Sequence, residues 1–386
     1  MKKPSTLHVA LAAVGLASLL VYVLACSTSF SPDDSQVLYP AFDQPSGAVS
    51  IAVYDRKTGR SENIFTAYAP DEGTNREALL TRAQWLPDGK HVLIAHIVPG
   101  STKTLSFFVV PRGVNESIRH LCNLDVKEPA VTLEFPFCVV GTKILLRDEH
   151  RLGSIDFMTG QISSAENTNK VWPLPGGDAK TIGAAAELEE DAGMAFGTID
   201  PQTLAFKPVL TLTNEFKNGA FPAFDPRTGE VVFVTGEKTN LQIQVVKSSQ
   251  VKFSRAVERA GAELMLGPWL DLGPRNDRVF TTYISHVADA TNAEYGVVEI
   301  PLNRDPLRWT PLFHAKPGDS EDLLFAQASL SHDGQTWAIA TSYLYLQSES
   351  FKAEDCALYL VEVGQAKPKI TKVPITPPLN RGKLTK

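Results

Sequence analysis

Trp85-Leu86-Pro87-Asp88-Gly89-Lys90-His91-Val92-Leu93-Ile94-Ala95 is the stretch that decides the fold. An aromatic residue and a leucine run into Pro-Asp-Gly-Lys, and an apolar run resumes at once. Proline presets one turn dihedral and glycine accepts a positive φ without a Cβ penalty, so the centre reads as a tight turn between two strands. The same order returns at Phe224-Asp225-Pro226-Arg227-Thr228-Gly229-Glu230 and at Leu330-Ser331-His332-Asp333-Gly334-Gln335. Leu272-Gly273-Pro274-Arg275-Asn276-Asp277-Arg278 is a weaker cousin.

A second kind of turn closes the hairpin after each of these. It reads Asp55-Arg56-Lys57-Thr58-Gly59, Pro111-Arg112-Gly113, Asp156-Phe157-Met158-Thr159-Gly160 and Asp200-Pro201-Gln202-Thr203. Less regular versions stand near Lys247, Pro301 and Val363. The starting positions advance by about 44 to 62 residues, the spacing of propeller blades. Between the turns lie short β-rich runs such as Ala48-Val49-Ser50-Ile51-Ala52-Val53-Tyr54 and Val231-Val232-Phe233-Val234-Thr235. The expected fold is therefore all-β: a β-propeller of seven four-stranded blades, with six or eight as the neighbouring counts. The blades are expected near residues 36–66, 79–122, 130–166, 171–213, 219–257, 265–314 and 323–376. The best candidate for a helix, residues 181–191, also reads as an acidic loop. Ring closure is expected to place Val37-Leu38-Tyr39 beside Leu358-Tyr359-Leu360-Val361, with Pro40 keeping that strand short and at an edge.

The Trp85 stretch resembles the WD-like Pro-Asp-Gly repeat of TolB-type periplasmic propellers, and the copies at 224–235 and 330–341 are similar but degenerate. The resemblance implies the fold and leaves the activity open, because propellers host binding modules and enzymes alike.

The N-terminus reads as an address. Lys2 and Lys3 precede an uncharged apolar stretch over residues 9–25, the layout of a secretory signal. Val23-Leu24-Ala25-Cys26 then resembles the bacterial lipobox, with Leu24 larger than that family prefers. The resemblance implies cleavage before Cys26, a thioether-linked diacylglycerol on its sulfur and acylation of the new amino terminus. Ser27 in place of Asp implies export to the outer membrane of a two-membrane bacterium, facing the periplasm or the surface. The other reading is an uncleaved membrane helix at the lower edge of spanning length. The expected organisation is a signal peptide over 1–25, a flexible tether over 26–35, the propeller over 36–376 and an exposed tail over 377–386.

Net charge is −6, with 37 basic and 43 acidic residues among 386, which lacks the basic footprint of a nucleic-acid binder. Beyond Cys26, Cys122 and Cys138 are close enough in sequence to bridge neighbouring strands in an oxidising compartment, or are small buried hydrophobes. Cys356 reads as packed. No metal-ligand spacing of Cys and His occurs, and no cofactor fingerprint is found. His91 and His96 stand at an odd separation on one strand and so point to opposite faces. Gly-x-Ser-x-Gly is absent, and Gly318-Asp319-Ser320 lies in a turn between blades. The acid pairs Asp33-Asp34 and Glu321-Asp322, and the run Glu189-Glu190-Asp191, read as solvated charge.

Loop length is the remaining signal. If both kinds of turn lie at one end, the middle connection of each blade lies at the other, and it is long in two blades. The sixth carries His286, Asp289 and Asn292, and the seventh carries Tyr343, Tyr345, Phe351 and Glu354. Long loops on a rigid scaffold are where binding sites sit. The favoured reading is a lipid-anchored binding module for an envelope protein or glycan. The alternative is an exported lactonase-like, lyase-like or glycan-cleaving propeller with acids or histidines at the central channel.

Overall fold

The computed structural model describes residues 28–43, 48–67, 81–97, 103–112, 117–127, 137–148, 151–166, 170–174, 182–188, 193–212, 222–235, 241–248, 250–258, 264–266, 270–273, 275–285, 294–303, 307–308, 310–315, 327–340, 357–363 and 368–374. They form seven sheets, each with consecutive antiparallel strands at its centre. The sheets span residues 29–67, 81–125, 138–166, 171–212, 223–258, 264–315 and 327–374. We number them blades 1 to 7.

Each blade is apolar on both faces, which is why its strands read as near-continuous apolar runs. In the second strand of blade 2, His91–Ile97, Leu93, Ala95 and Ile97 pack against Phe137, Ile144 and Leu146 of blade 3. Val92 and Ile94 point the other way, onto Leu38, Ile51 and Phe65 of blade 1. Seven buried apolar clusters repeat this arrangement, one at each boundary between neighbouring blades. The last joins Ala338, Leu358 and Leu360 of blade 7 to Phe30, Val37 and Tyr39 of blade 1, so the sheets close into a propeller ring.

Burial orders the strands within a blade. First strands such as Thr81–Trp85 and Val171–Pro173 are almost wholly buried, whereas fourth strands such as Arg119–Asp125 and Ile162–Glu166 are mostly exposed. The first strands therefore face the axis and the fourth form the rim. In five blades the pairing of third and fourth strands slips by one residue, at 51/52, 107/108, 196/197, 245/246 and 297/298. Such a bulge adds twist, which carries the outer strand away from its neighbour. The connection after the third strand of blade 6 also reaches back, and Leu307–Arg308 pairs in parallel with the rim strand Gln250–Glu258 of blade 5.

Three expectations are corrected. The segment expected as a flexible tether belongs to the ring from residue 28 onward: Ser29–Phe30 is the first strand of blade 1, and Phe30 is 3% exposed. Ser31-Pro32-Asp33-Asp34-Ser35 is a turn of the Pro-Asp-Gly kind with aspartate in the glycine position. The φ of Asp34 is 56°, beside 63° at Gly89 and 69° at Gly334. This turn supplies blade 1 with its own inner strand, so closure needs no strand from the C-terminus. Val37 and Tyr39 consequently meet Leu358 and Leu360 face to face across the blade boundary, and share no ladder with them.

Pro40 lies within the eight-residue strand Gln36–Asp43, past the final pair of that strand with the first strand, Ser29 opposite Leu38. Its missing N–H falls where the strand has a partner on one side. The helix candidate is likewise a strand, Ile182–Glu187, paired on both sides. Ala184 and Ala186 pack toward blade 3 and Ala185 toward blade 5, all fully buried. Two ladders and two packed faces override the helix preference of alanine.

Candidate functional site

The ring has two unlike ends. At one end first strands pass to second strands and third to fourth, and the described turns there, such as 31–35, 86–90 and 156–160, are short and hydrogen-bonded. Ser31 Oγ donates to Asp33 Oδ1 at 2.6 Å, and Ser331 Oγ repeats the bond to Asp333 Oδ1 at 2.6 Å. In the Asp-x-x-Thr-Gly turns the aspartate accepts backbone N–H groups, from Thr58 to Asp55 at 2.7 Å and from Thr159 to Asp156 at 2.9 Å. The Thr58 bond is the main reason that the Asp55 carboxyl lies below its usual range. Asp156 is lowered chiefly by the Thr142 hydroxyl. These carboxylates are occupied in building turns.

At the other end the second strand passes to the third. That connection is two residues in blade 3, 149–150, but eight in blade 6, 286–293, and sixteen in blade 7, 341–356. The two long connections thus stand on adjacent blades at the end opposite the turns. His286, Asp289, Asn292, Tyr343, Tyr345, Phe351 and Glu354 all lie outside the described residues, as do Cys26 and Cys356. The thiols of Cys122 and Cys138 are both free. Cys122 sits on the rim strand of blade 2 and Cys138 on the inner strand of blade 3, where its Sγ donates to the Leu174 carbonyl at 3.0 Å. Burial pushes the Cys138 thiol up to about 12 and raises that of Cys122. Sequence proximity therefore does not become a bridge, because the chain crosses from rim to axis between them.

At the turn end a cleft of about 380 Å³ opens between blades 1 and 2. Ser31, Asp33, Ser35 and Gln36 line one side, and Gly89, Lys90, His91 and Arg112 line the other. Asp33 is held below the usual carboxylate range by the hydroxyl of Ser31 and then by Ser35. His91 Nδ1 lies 2.6 Å from Asp88, whose carboxyl burial would raise; the bonds from His91 and from the Lys90 N–H outweigh that and lower it. The Arg112 guanidinium is 3.4 Å from Glu62. Hydrogen-bond donors and acceptors thus stand on rigid turns on both sides of the cleft. Sequence reasoning missed this cleft because it assigned residues 31–35 to a tether; the likeness of Ser-Pro-Asp-Asp-Ser to Pro-Asp-Gly was the available signal.

At the opposite end, near the axis, cations lie on aromatic faces. The Arg147 guanidinium stands 4.2 Å from the Trp172 ring centre, and Arg82 stands 6.0 Å from that of Phe137. His96 is buried beside them in blade 2, its Nδ1 2.9 Å from the Thr81 hydroxyl, and burial lowers its pKa to about 4. It turns toward Phe65 of blade 1, while His91 at the turn end bonds Asp88. Among the described residues no three of His, Cys, Asp and Glu are grouped to hold a metal ion.

No protein-family model matches the sequence, and no curated protein does. Solved propellers resemble the fold. A structure from a mechanistic study of two prolyl endopeptidases aligns over 85% of this chain and 47% of its own, with TM-score 0.50 and 9% identity. The β-propeller domain of the Trilobed protease of Pyrococcus furiosus aligns over 72% of this chain and 82% of its own, with TM-score 0.45 and 13% identity. TolB of Acinetobacter baumannii aligns over 76% and 68%, with TM-score 0.36 and 14% identity. At such identities the likeness is one of fold.

Proposed function

We propose that this chain is an exported lipoprotein, anchored in a bilayer through acylated Cys26, whose propeller is a binding module for an envelope protein or a glycan. The observation that carries the reading is the asymmetry of the ring. Seven packed blade boundaries make a rigid scaffold, short turns such as 31–35 and 86–90 stand at one end, and the longest connection between two strands of one blade, 341–356, belongs to the other. Rigid scaffolds with long loops at one end are built for recognition. The aromatics Tyr343, Tyr345 and Phe351 in the longest connection are of the type favoured as interface anchors. The mixed donors and acceptors of the cleft between blades 1 and 2 support a glycan as a ligand at the other end.

The test is an in-cell crosslink and pull-down of the lipidated protein, beside a form with residues 342–355 replaced by a short Gly-Ser loop. Specific envelope partners captured by the native form and lost from the replacement support the reading. Identical capture by both forms sinks the assignment to this connection. An intact mass without the diacylglycerol increment sinks the anchor.

A further inference from the structure

The position of Thr28 limits how far the ring can stand from its lipid. Thr28 is 3% exposed, and its hydroxyl lies 2.8 Å from Ser329 Oγ and 3.1 Å from the Ala338 carbonyl oxygen, both in blade 7. It is thus pinned between the first and last blades, two residues after Cys26. The strand Ser29–Phe30 runs toward the turn end, so the chain before it heads toward the end with the long connections.

Lengths then decide the matter. Ser29 stands opposite Leu38, and the second strand continues five residues further to Asp43, about 17 Å at the rise of a strand. Three residue steps lead from Ser29 back to Cys26, a reach of at most about 11 Å even when fully extended. A chain of this length cannot carry Cys26 past the Asp43 end of the second strand, and only its acyl chains can extend beyond it.

Resting on the lipidation reading above, we propose that the propeller lies directly on the bilayer with its long-connection end against the lipid and its turn end facing away. The occupant of that end is the membrane surface itself. The end of the ring from which the strand Ser29–Phe30 starts meets the headgroups, and the sequence between the second and third strands of blade 7 includes Tyr343, Tyr345 and Phe351, residue types suited to such an interface. Any protein that these connections dock is met in the plane of the membrane, whereas the cleft between blades 1 and 2 opens away from it.

Hydrogen exchange tests this on the mature acylated chain in vesicles of phosphatidylethanolamine and phosphatidylglycerol, compared with the same chain lacking acyl groups. Peptides covering 286–293 and 341–356 exchange at least about threefold more slowly on vesicles, while the turns at 56–59, 156–160 and 226–229 are unchanged. Equal rates at both ends, or slowing at the turns, overturn the orientation. A second form carries about 20 Gly/Ser residues inserted after Ser27, long enough to free the ring. Its long connections exchange as in the unacylated chain; slowing that survives the insertion overturns the argument from reach. Intact mass read on the same sample separates the two levels. Absence of the lipid defeats the anchor and the orientation together, and its presence with the wrong exchange pattern defeats the orientation alone.

Discussion

Asp34 of blade 1 holds the backbone of His332 in blade 7: its Oδ1 accepts the His332 N–H at 2.9 Å, and Oδ2 accepts the N–H of Asp333 at 3.0 Å. The equivalent positions in two other turns are Gly89 and Gly334, because the site requires a positive φ. Asp34 accepts that strain and spends its carboxylate on the neighbouring blade. Arg56 adds to the latch, donating to the Asp34 carbonyl at 2.8 Å and to Thr336 Oγ1 at 3.0 Å. The ring is thus closed by packing and by this latch.

Two substitutions separate backbone from side chain here. Asp34→Gly keeps the turn conformation and loses the latch, and is expected to cost about 1–2 kcal/mol. Asp34→Ala loses the latch and places a Cβ-bearing residue that cannot hydrogen-bond at positive φ, costing roughly 1 kcal/mol more. Urea unfolding of both variants checks the order, and equal losses would show that the conformation is not limiting.

Asn276, with φ of 52°, does in blade 6 what Asp34 does in blade 1. Its Nδ2 donates to Asp225 Oδ2 in blade 5 at 2.8 Å. Burial raises the Asp225 carboxyl, but the bonds from Arg227 and Asn276 outweigh it and hold the pKa at about 2. Since the folded pKa is below the unfolded one, this carboxylate stabilises the fold above about pH 4, and that contribution is lost as pH falls through about 2. Asn276→Gly keeps the conformation, and an NMR titration should find the Asp225 pKa moved upward.

His96 makes a second, higher pH window. Burial lowers it from 6.5 to about 4, so below pH 6.5 the unfolded chain takes up the proton first. Stability contributed by the neutral ring is full above pH 6.5 and is lost progressively toward pH 4, by about 3 kcal/mol in all. Denaturant midpoints between pH 7 and pH 4 should fall in the native protein and fall less in His96→Gln.

Gly197 sits at the bulge of blade 4, where a Cβ would overlap the Lys207 carbonyl oxygen. The clash is with backbone and cannot be relieved by a side-chain rotation. Gly197→Ala is expected to destabilise by about 3 kcal/mol or more, readable as a lowered urea midpoint. A change within about 0.5 kcal/mol would mean that the rim strand shifts freely.

Peptide mapping of the protein purified without reductant should find Cys122 and Cys138 in separate peptides. In the folded chain Cys138 should be alkylated more slowly than Cys122, because burial disfavours the reactive thiolate in that order.

Turn chemistry is local, so Pro87-Asp88-Gly89 and Asp156–Gly160 could be read as turns directly, and their spacing already implied a ring of seven sheets. The lengths of the connections at 286–293 and 341–356 followed from the same count. What the residues alone did not announce was any feature set by a distant neighbour. Residues 31–35 carry the same turn chemistry, but aspartate replaces glycine there because its partner is His332, 298 positions away. Ala184-Ala185-Ala186 has helix-forming composition and becomes a strand because sheets close in on both faces. Cys122 and Cys138 look like a pair along the chain and are parted by the width of a blade. Sequence by itself determined the period and the turns, which depend on φ preferences within four or five residues. Tertiary structure alone decided how the ring closes and that Thr28 is already buried in it, since both depend on burial between segments at opposite ends of the chain.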